Sequence, residues 1–351
     1  MSDRSGIPDS PGYALRSTAS WGGLGSFAMR AVVVERFTSP DELRVSEAPE
    51  PKLRDGGVLV TVRAAGCNFF DTLIVQGKYQ EKPPFPFSPG GEISGVVEEI
   101  GRCVEGVVRG DRVMAYLSHG GFAERVVVDA EALLPIPGNM SFEEAAGFPI
   151  VYGTAYAAVV QRGLTRPGET VVVTAASGGV GLAAVQVAKA VGARVIALAS
   201  GDKLDVARSA GADVTIDYRR SDWIEELGRA TAGRGADVVI ENVGGDVFDG
   251  CSKHVAWGAR IVIVGFASGK IPEVRINRVL LKHISLVGVH WAPQRHHEPH
   301  VVRDGFRALA SLYELGKVTP LISKVLPMEN VAEALALLGS RQSVGKIVLN
   351  L

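Results

Sequence analysis

The chain is poor in cysteine, modest in aromatic residues, almost without net charge and free of long apolar runs. Of its 351 residues only three are cysteines, Cys67, Cys103 and Cys251, and no C-x-x-C pair occurs. That excludes a disulfide framework and a cysteine-rich structural zinc lobe. A formal net charge of −1 provides no broad basic field for nucleic acid or anionic lipid. No apolar stretch reaches the roughly 20 residues needed to cross a bilayer. The profile is that of a globular cytoplasmic protein. Its 46% hydrophobic composition is enough for two cores.

Residues 1–28 are rich in Ser, Gly and Pro and show no hydrophobic periodicity, so a disordered, dispensable extension is expected there. Arg4 and Arg16 among serines suggest a transit peptide, but Asp3 and Asp9 do not fit one, and no signal-peptide core is present. Met29 leads into the first convincing strand, 30–35, and is a candidate start of the protein. From there to about Met140, short strands at 58–64, 95–100, 112–116 and 123–128 are broken by Gly and Pro, the pattern of a compact, partly open barrel. Ser141 with Glu144 three residues on is a capping box that opens a helix.

Residues 169–203 organise the rest. The β-branched run 170–174 reads as a buried parallel strand, 175–181 as a small-residue turn, 182–191 as a helix and 194–199 as a second strand. In that context the turn is a dinucleotide cradle formed by Ala176, Ser177, Gly178, Gly179, Val180 and Gly181. Gly178 and Gly179 would let the backbone approach a pyrophosphate, with helix N–H groups pointing at it, and Gly181 would let the helix pack on the strand. The first glycine of the usual G-x-G-x-x-G is Ala176.

About twenty residues past the glycines, NAD sites carry a carboxylate. Here that place is 199–200, followed by the hydroxyl of Ser200 and the cation of Lys203. These suit a ribose 2′-phosphate, hence NADPH rather than NADH. Strands at 213–217, 236–241, 260–265 and 284–289 then alternate with helices at 223–231 and 247–254, giving a doubly wound parallel α/β sheet. Asn242 and, after the next strand, Gly265, Phe266 and Ser268 fall at its carboxyl edge, where ligands lie. Helices at 303–315 and 331–338 precede a last strand, 345–349. That strand is expected to return to the β-rich domain, since it needs a sheet to join. His296, His297 and His300 read as exposed loop residues rather than metal ligands, for no second ligand element accompanies them.

A-A-S-G-G-V-G at 175–181, N-F-F-D at 68–71, Y-G-T-A-Y at 152–156 and E-N-V-G-G-D-V-F at 241–248 resemble the zinc-independent quinone oxidoreductase branch of the medium-chain dehydrogenase/reductase superfamily. So does L-L-K-H-I-S-L-V-G-V-H-W at 280–291. The resemblance implies a Rossmann domain, 151–290, inserted in a GroES-like domain, 29–150 plus 291–351. It places Asn68 and Thr154 beside the nicotinamide, with Asn68 donating to a substrate carbonyl. Tyr218 would lie near the 2′-phosphate, with Lys346 reaching the cofactor. Homodimers are implied, joined by the edges of their sheets through 284–289.

Where zinc alcohol dehydrogenases carry ligands, this chain has Asn68, Gly91 ahead of Glu92, and the cysteine-free stretch 148–151. No zinc is therefore expected. Without a Lewis acid the accessible hydride acceptors are quinones and α,β-unsaturated carbonyls. Phe69, Phe70, Tyr79, Phe85 and Phe87 could stack on such a ring. A tyrosine near the nicotinamide in some relatives is Leu73 here, so no side chain is assigned as proton donor and solvent is one candidate. Two rival readings are an enoyl-thioester reductase, which a basic pocket would favour, and a non-catalytic NADPH-binding protein of the crystallin or RNA-binding kind.

Overall fold

The computed structural model describes residues 28–351. The expected extension, Ala28 apart, lies outside the described residues. Ala28 already belongs to a strand, Ala28–Val32, which pairs antiparallel with Val45–Pro49 and starts two residues earlier than the sequence pattern indicates.

Six parallel strands form the doubly wound sheet. In spatial order they are Val214–Asp217, Arg194–Ala199, Thr170–Val173, Ala236–Glu241, Val255–Ile263 and Ser285–Gly288. Numbered along the chain this is 3-2-1-4-5-6, the Rossmann order, with its switch point at the carboxyl end of Thr170–Val173. Side-chain alternation explains why that strand is apolar throughout. Val171 and Val173 pack into one core with Ala184 and Leu309, whereas Val172 faces the opposite core with Ile196 and Phe248.

A second sheet holds Ile322–Pro327, Lys346–Asn350, Gly57–Cys67, Glu92–Ile100, Arg112–Tyr116 and Leu133–Pro135 in that order, with Arg125–Asp129 also paired to Gly57–Cys67. The late strand Lys346–Asn350 lies antiparallel to Gly57–Cys67, so chain segments almost 300 residues apart share one sheet. Ile347 and Leu349 enter the same core as Val58, Val60 and Phe87.

Two differences from the sequence reading bear on the site. The phosphate-side helix begins at Gly179, not 182, because glycine's poor helix propensity is outweighed by packing. Residues 66–79, where the sequence reading places no helix, contain the helix Phe69–Val75, opened by Asn68 and held by Asp71, whose Oδ2 accepts from Asn68 N at 2.7 Å.

Candidate active site

The turn after Thr170–Val173 is built by close backbone approach. Ala175 takes φ 50°, a left-handed conformation unusual for alanine. A Cβ on Gly181 would lie 2.1 Å from Ala175 O, so this position has no room for a side chain. Gly178 is different: a Cβ there would meet only Ala175 O at 3.5 Å, and its backbone is open to an approaching group. Gly178 caps the helix Gly179–Ala190, whose first N–H groups carry the partial positive charge of a helix start. Val180 lies in the first turn, and Ala176 and Ser177 are buried beneath it. Helix Pro149–Tyr156 places Val151 over Gly179, where a Cβ would be 2.9 Å from Val151 Cγ1.

At the end of the second strand Ser200 leads into a single turn containing Lys203. The Lys203 ammonium donates to Arg341 O at 2.7 Å and Ser343 O at 3.2 Å. An ammonium has three N–H groups, so one remains for a ligand. Burial pushes the Tyr218 phenol up, and the charges of Arg219 and Arg341 pull it down. Arg341 thus joins this basic corner from the far end of the sequence, which local spacing could not reveal.

The other side of the switch point is organised by Glu241. It is fully buried, its Oε1 accepts from Val243 N at 2.5 Å and Gly244 N at 2.8 Å, and its Oε2 has no partner among the described residues. Burial pushes its carboxyl up. This fixes the turn that starts at Asn242, whose amide donates to Thr174 O at 2.8 Å. Gly265, Phe266 and Ser268 lie in the next loop. Ser268 N donates to Val243 O, and Phe266 lies against Gly244.

Thr154 is half-buried on helix Pro149–Tyr156, and its hydroxyl has no side-chain partner among the described residues. Its neighbour Gly153 carries the indole of Trp291, which a Cβ would meet at 2.6 Å. Of the aromatic candidates, Phe87 is core and Phe69 is exposed. Phe70 stacks with Tyr79 at 5.5 Å, and Phe85 sits 5.7 Å from Phe87.

Lys346 reaches from the glycine turn to Asn68. Its stem runs past Gly179, but its ammonium turns into the barrel. There it donates to Glu92 Oε1 at 2.6 Å, Cys67 O at 2.7 Å and Asn68 Oδ1 at 2.8 Å. All three N–H groups are used, leaving none for a cofactor phosphate. The same network fixes Asn68: with Oδ1 on the ammonium, Nδ2 donates to Glu92 Oε1 at 2.9 Å and, at the longer 3.3 Å, to Gly66 O. Glu92 Oε2 accepts from Ile150 N at 2.9 Å. Gly66 makes room for the carboxylate, since a Cβ there would lie 2.6 Å from Glu92 Oε1.

The donor set does not fit zinc. Asn68 and Glu92 are committed to an ammonium, a cation that repels a metal ion at the same place. The space a side chain at Gly91 would need is filled by the Phe70 ring, 2.1 Å from a Cβ. Among the described residues no group of three His, Cys, Asp or Glu converges as ligands do. His296, His297 and His300 are exposed. Nearby, burial raises the Asp71 carboxyl to about 7 against hydrogen bonds from Asn68 N and Gly90 N.

The architecture and these turns have counterparts. Residues 54–138 match the alcohol dehydrogenase GroES-like domain family, and residues 179–305 match the zinc-binding dehydrogenase family. A quinone oxidoreductase-like protein 2 homolog from Nematostella vectensis is 41% identical over 93% of this chain and 90% of its own length. A mycobacterial protein solved in complex with NADPH superposes with a TM-score of 0.84 at 28% identity, covering 92% of this chain and 100% of its own. The CurK enoyl reductase superposes at 0.83 and 27% identity, covering 93% and 99%. Sheet order, glycine turn and sequence identity together make this chain a member of the quinone oxidoreductase-like branch of the medium-chain dehydrogenase/reductase superfamily, a family of oxidoreductases.

Proposed function

We propose that this protein is an NADPH-dependent, metal-free reductase of quinones or related α,β-unsaturated carbonyls. The observation that carries the reading is the joining of two features by one side chain. The Lys346 stem lies on Gly179 of the phosphate turn, and its ammonium orders Asn68, an arrangement that supports a metal-free site. Bound NADPH supplies the hydride. The glycine turn would hold its pyrophosphate, with Asn242 and residues 265–268 closing the far side of the crevice. Ser200, Lys203 and Tyr218 would take the 2′-phosphate region.

Within the site, Thr154 Oγ1 is a free donor for a carbonyl oxygen. Of the two Asn68 amide protons, the one directed at Gly66 O, with Nδ2 3.3 Å from that oxygen, is the more available. Hydrogen bonds of this kind favour the charge that develops on a reduced quinone or enolate oxygen. On this reading residues 29–150 with 291–351 form the substrate-side domain and 151–290 the cofactor domain. Three free cysteines and the composition suit the cytoplasm.

The test is oxidation of NADPH, followed by its absorbance, with a simple quinone as acceptor and a chelator present. NADH is run in parallel. Chelator-resistant, NADPH-selective turnover is the expected result. Equal use of NADH would overturn the cofactor assignment. The likeness to an enoyl reductase supports a second reading, 2-enoyl thioester reduction, which the same assay decides with that acceptor. NADPH binding with no turnover on either acceptor would leave a non-catalytic binder.

We also propose a homodimer. The strand Ser285–Gly288 ends the parallel sheet with one edge unpaired among the described residues, and Ile276, Leu280 and Leu281 beside it are 75%, 78% and 69% exposed. Such a patch next to an open edge suits a second copy.

A further inference from the structure

A cavity of about 400 Å³ opens between the strand Arg125–Asp129 and the helices Trp291–His297 and Pro299–Glu314. Its walls include Tyr116, Val126 and Val128, all buried, with Arg295, Arg303 and Lys52 around them. Arg295 is the unusual member. Its guanidinium lies over the Tyr116 ring, 5.0 Å from the centroid. It donates through Nε to His296 at 3.1 Å and through Nη1 to Tyr116 O at 3.5 Å. No carboxylate lies within ion-pair distance among the described residues. The acids along the cavity are otherwise occupied or alone: Asp129 pairs with Arg54, Asp55 with Arg102, and Glu131 has no cation partner among the described residues. Burial lowers the Arg295 pKa, and Tyr116, Glu81 and Asp129 offset that only in part.

The cavity wall is one residue layer from the reaction site. Tyr116 pairs with Glu92 across the sheet, and Leu117 N, at the cavity's rim, donates to Gly91 O at 2.6 Å. The Tyr116 ring contacts Trp291 at 4.9 Å, and Trp291 covers Gly153, next to Thr154. A half-buried guanidinium with uncommitted N–H groups above an apolar floor is built for a carboxylate or phosphate on an apolar arm.

We propose that this cavity is an acceptor subsite that binds the anionic arm of the substrate, with Arg295 on the anion and Tyr116, Val126 and Val128 along the arm. The proposal rests on the reductase reading and narrows it: the preferred acceptor is a conjugated carbonyl that carries a carboxylate or phosphate, not a neutral ring. Arg295 is then a specificity-determining residue that does not touch the reacting atoms.

The experiment compares one para-quinone bearing alkyl arms that end in hydroxyl, carboxylate or phosphate. Wild-type kcat/KM should be about tenfold higher for at least one anionic arm than for the hydroxyl arm, the size expected of a charge-assisted contact. The carboxylate and phosphate arms tell which anion is preferred. Arg295→Gln should remove the preference and leave the hydroxyl-armed quinone unchanged, while Arg295→Lys should keep part of it. Equal kcat/KM for all three arms in the wild type would overturn the proposal. So would an Arg295→Gln variant that loses all three alike. Calorimetric titration with the saturated, non-reducible anion-armed analogue separates the two readings. Binding that Arg295→Gln abolishes supports the subsite even if no quinone is reduced, and no binding by the wild type refutes the subsite even if neutral quinones are.

Discussion

The ammonium of Lys346 lies 2.6 Å from the carboxylate of Glu92, with the two side chains 5% and 0% exposed. Removing one partner leaves the other charged and buried. Lys346→Met should therefore cost about 3–5 kcal/mol in unfolding free energy by urea titration. Pairing it with Glu92→Leu should recover part of that loss. A cost below about 1 kcal/mol would mean that the pair is not held in solution.

The two glycines of the phosphate turn should separate stability from binding. Gly181→Ala drives a Cβ to 2.1 Å from a backbone oxygen, so it should lower the melting temperature. Gly178→Ala meets nothing closer than 3.5 Å and should fold normally, yet weaken NADPH binding about tenfold or more by obstructing the pyrophosphate. Fluorescence titration of folded Gly178→Ala with NADPH checks this, and unchanged affinity would move the phosphate site elsewhere.

Lys203→Met should raise the Kd for NADPH about tenfold, the loss expected of one charge-assisted contact, and leave the Kd for NADH alone. Because Lys203 also holds Arg341 O and Ser343 O, an equal loss for both cofactors would show that its role is to order that segment.

Two buried groups should give opposite pH slopes. Asp71 ionises near 7 in the fold against an ordinary 3.8, so between those values the native state keeps a proton that the unfolded chain has shed, and stability falls as pH rises. His119, pushed by burial to about 4 from 6.5, does the reverse, and stability rises with pH across that window. Each slope is at most about 1.4 kcal/mol per pH unit. Urea midpoints measured from pH 4 to 7 should rise with pH in Asp71→Asn and fall in His119→Asn. Matching profiles in the two variants would contradict both assignments.

Leu280→Glu with Leu281→Glu should convert the proposed dimer to a monomer in light scattering, because two charges would be forced into an apolar contact. A wild type that is already monomeric under the same conditions would remove the dimer.

The fold was legible where pattern and physics coincide. β-branched runs bounded by glycine located the six parallel strands to within a few residues, and Ser141 with Glu144 marked a helix start whose hydrogen bonds are present at 3.0 and 3.1 Å. Helix starts at Gly179 and Gly245 were placed late, since glycine's low propensity says nothing about the close packing that selects it there. Site residues were readable when one turn supplies them, as in 176–181. The partners of Lys346 were not, because nothing local tells whether a long side chain will turn toward a phosphate or a carboxylate. Arg295 escaped notice for the same reason, since its isolation from carboxylates exists only in three dimensions.

The strand Lys346–Asn350 completes the sheet that begins with Gly57–Cys67, and Lys346 bonds a carbonyl 279 positions earlier. During synthesis every strand of the parallel sheet leaves the ribosome before that closing strand exists. The nucleotide sheet can thus assemble while the chain is still growing. The barrel must wait, with the edge of Gly57–Cys67 exposed until Lys346–Asn350 emerges. Such an open edge is the segment most in need of protection from other chains, and the nascent protein is most vulnerable to aggregation in the very sheet that looks most self-contained once finished.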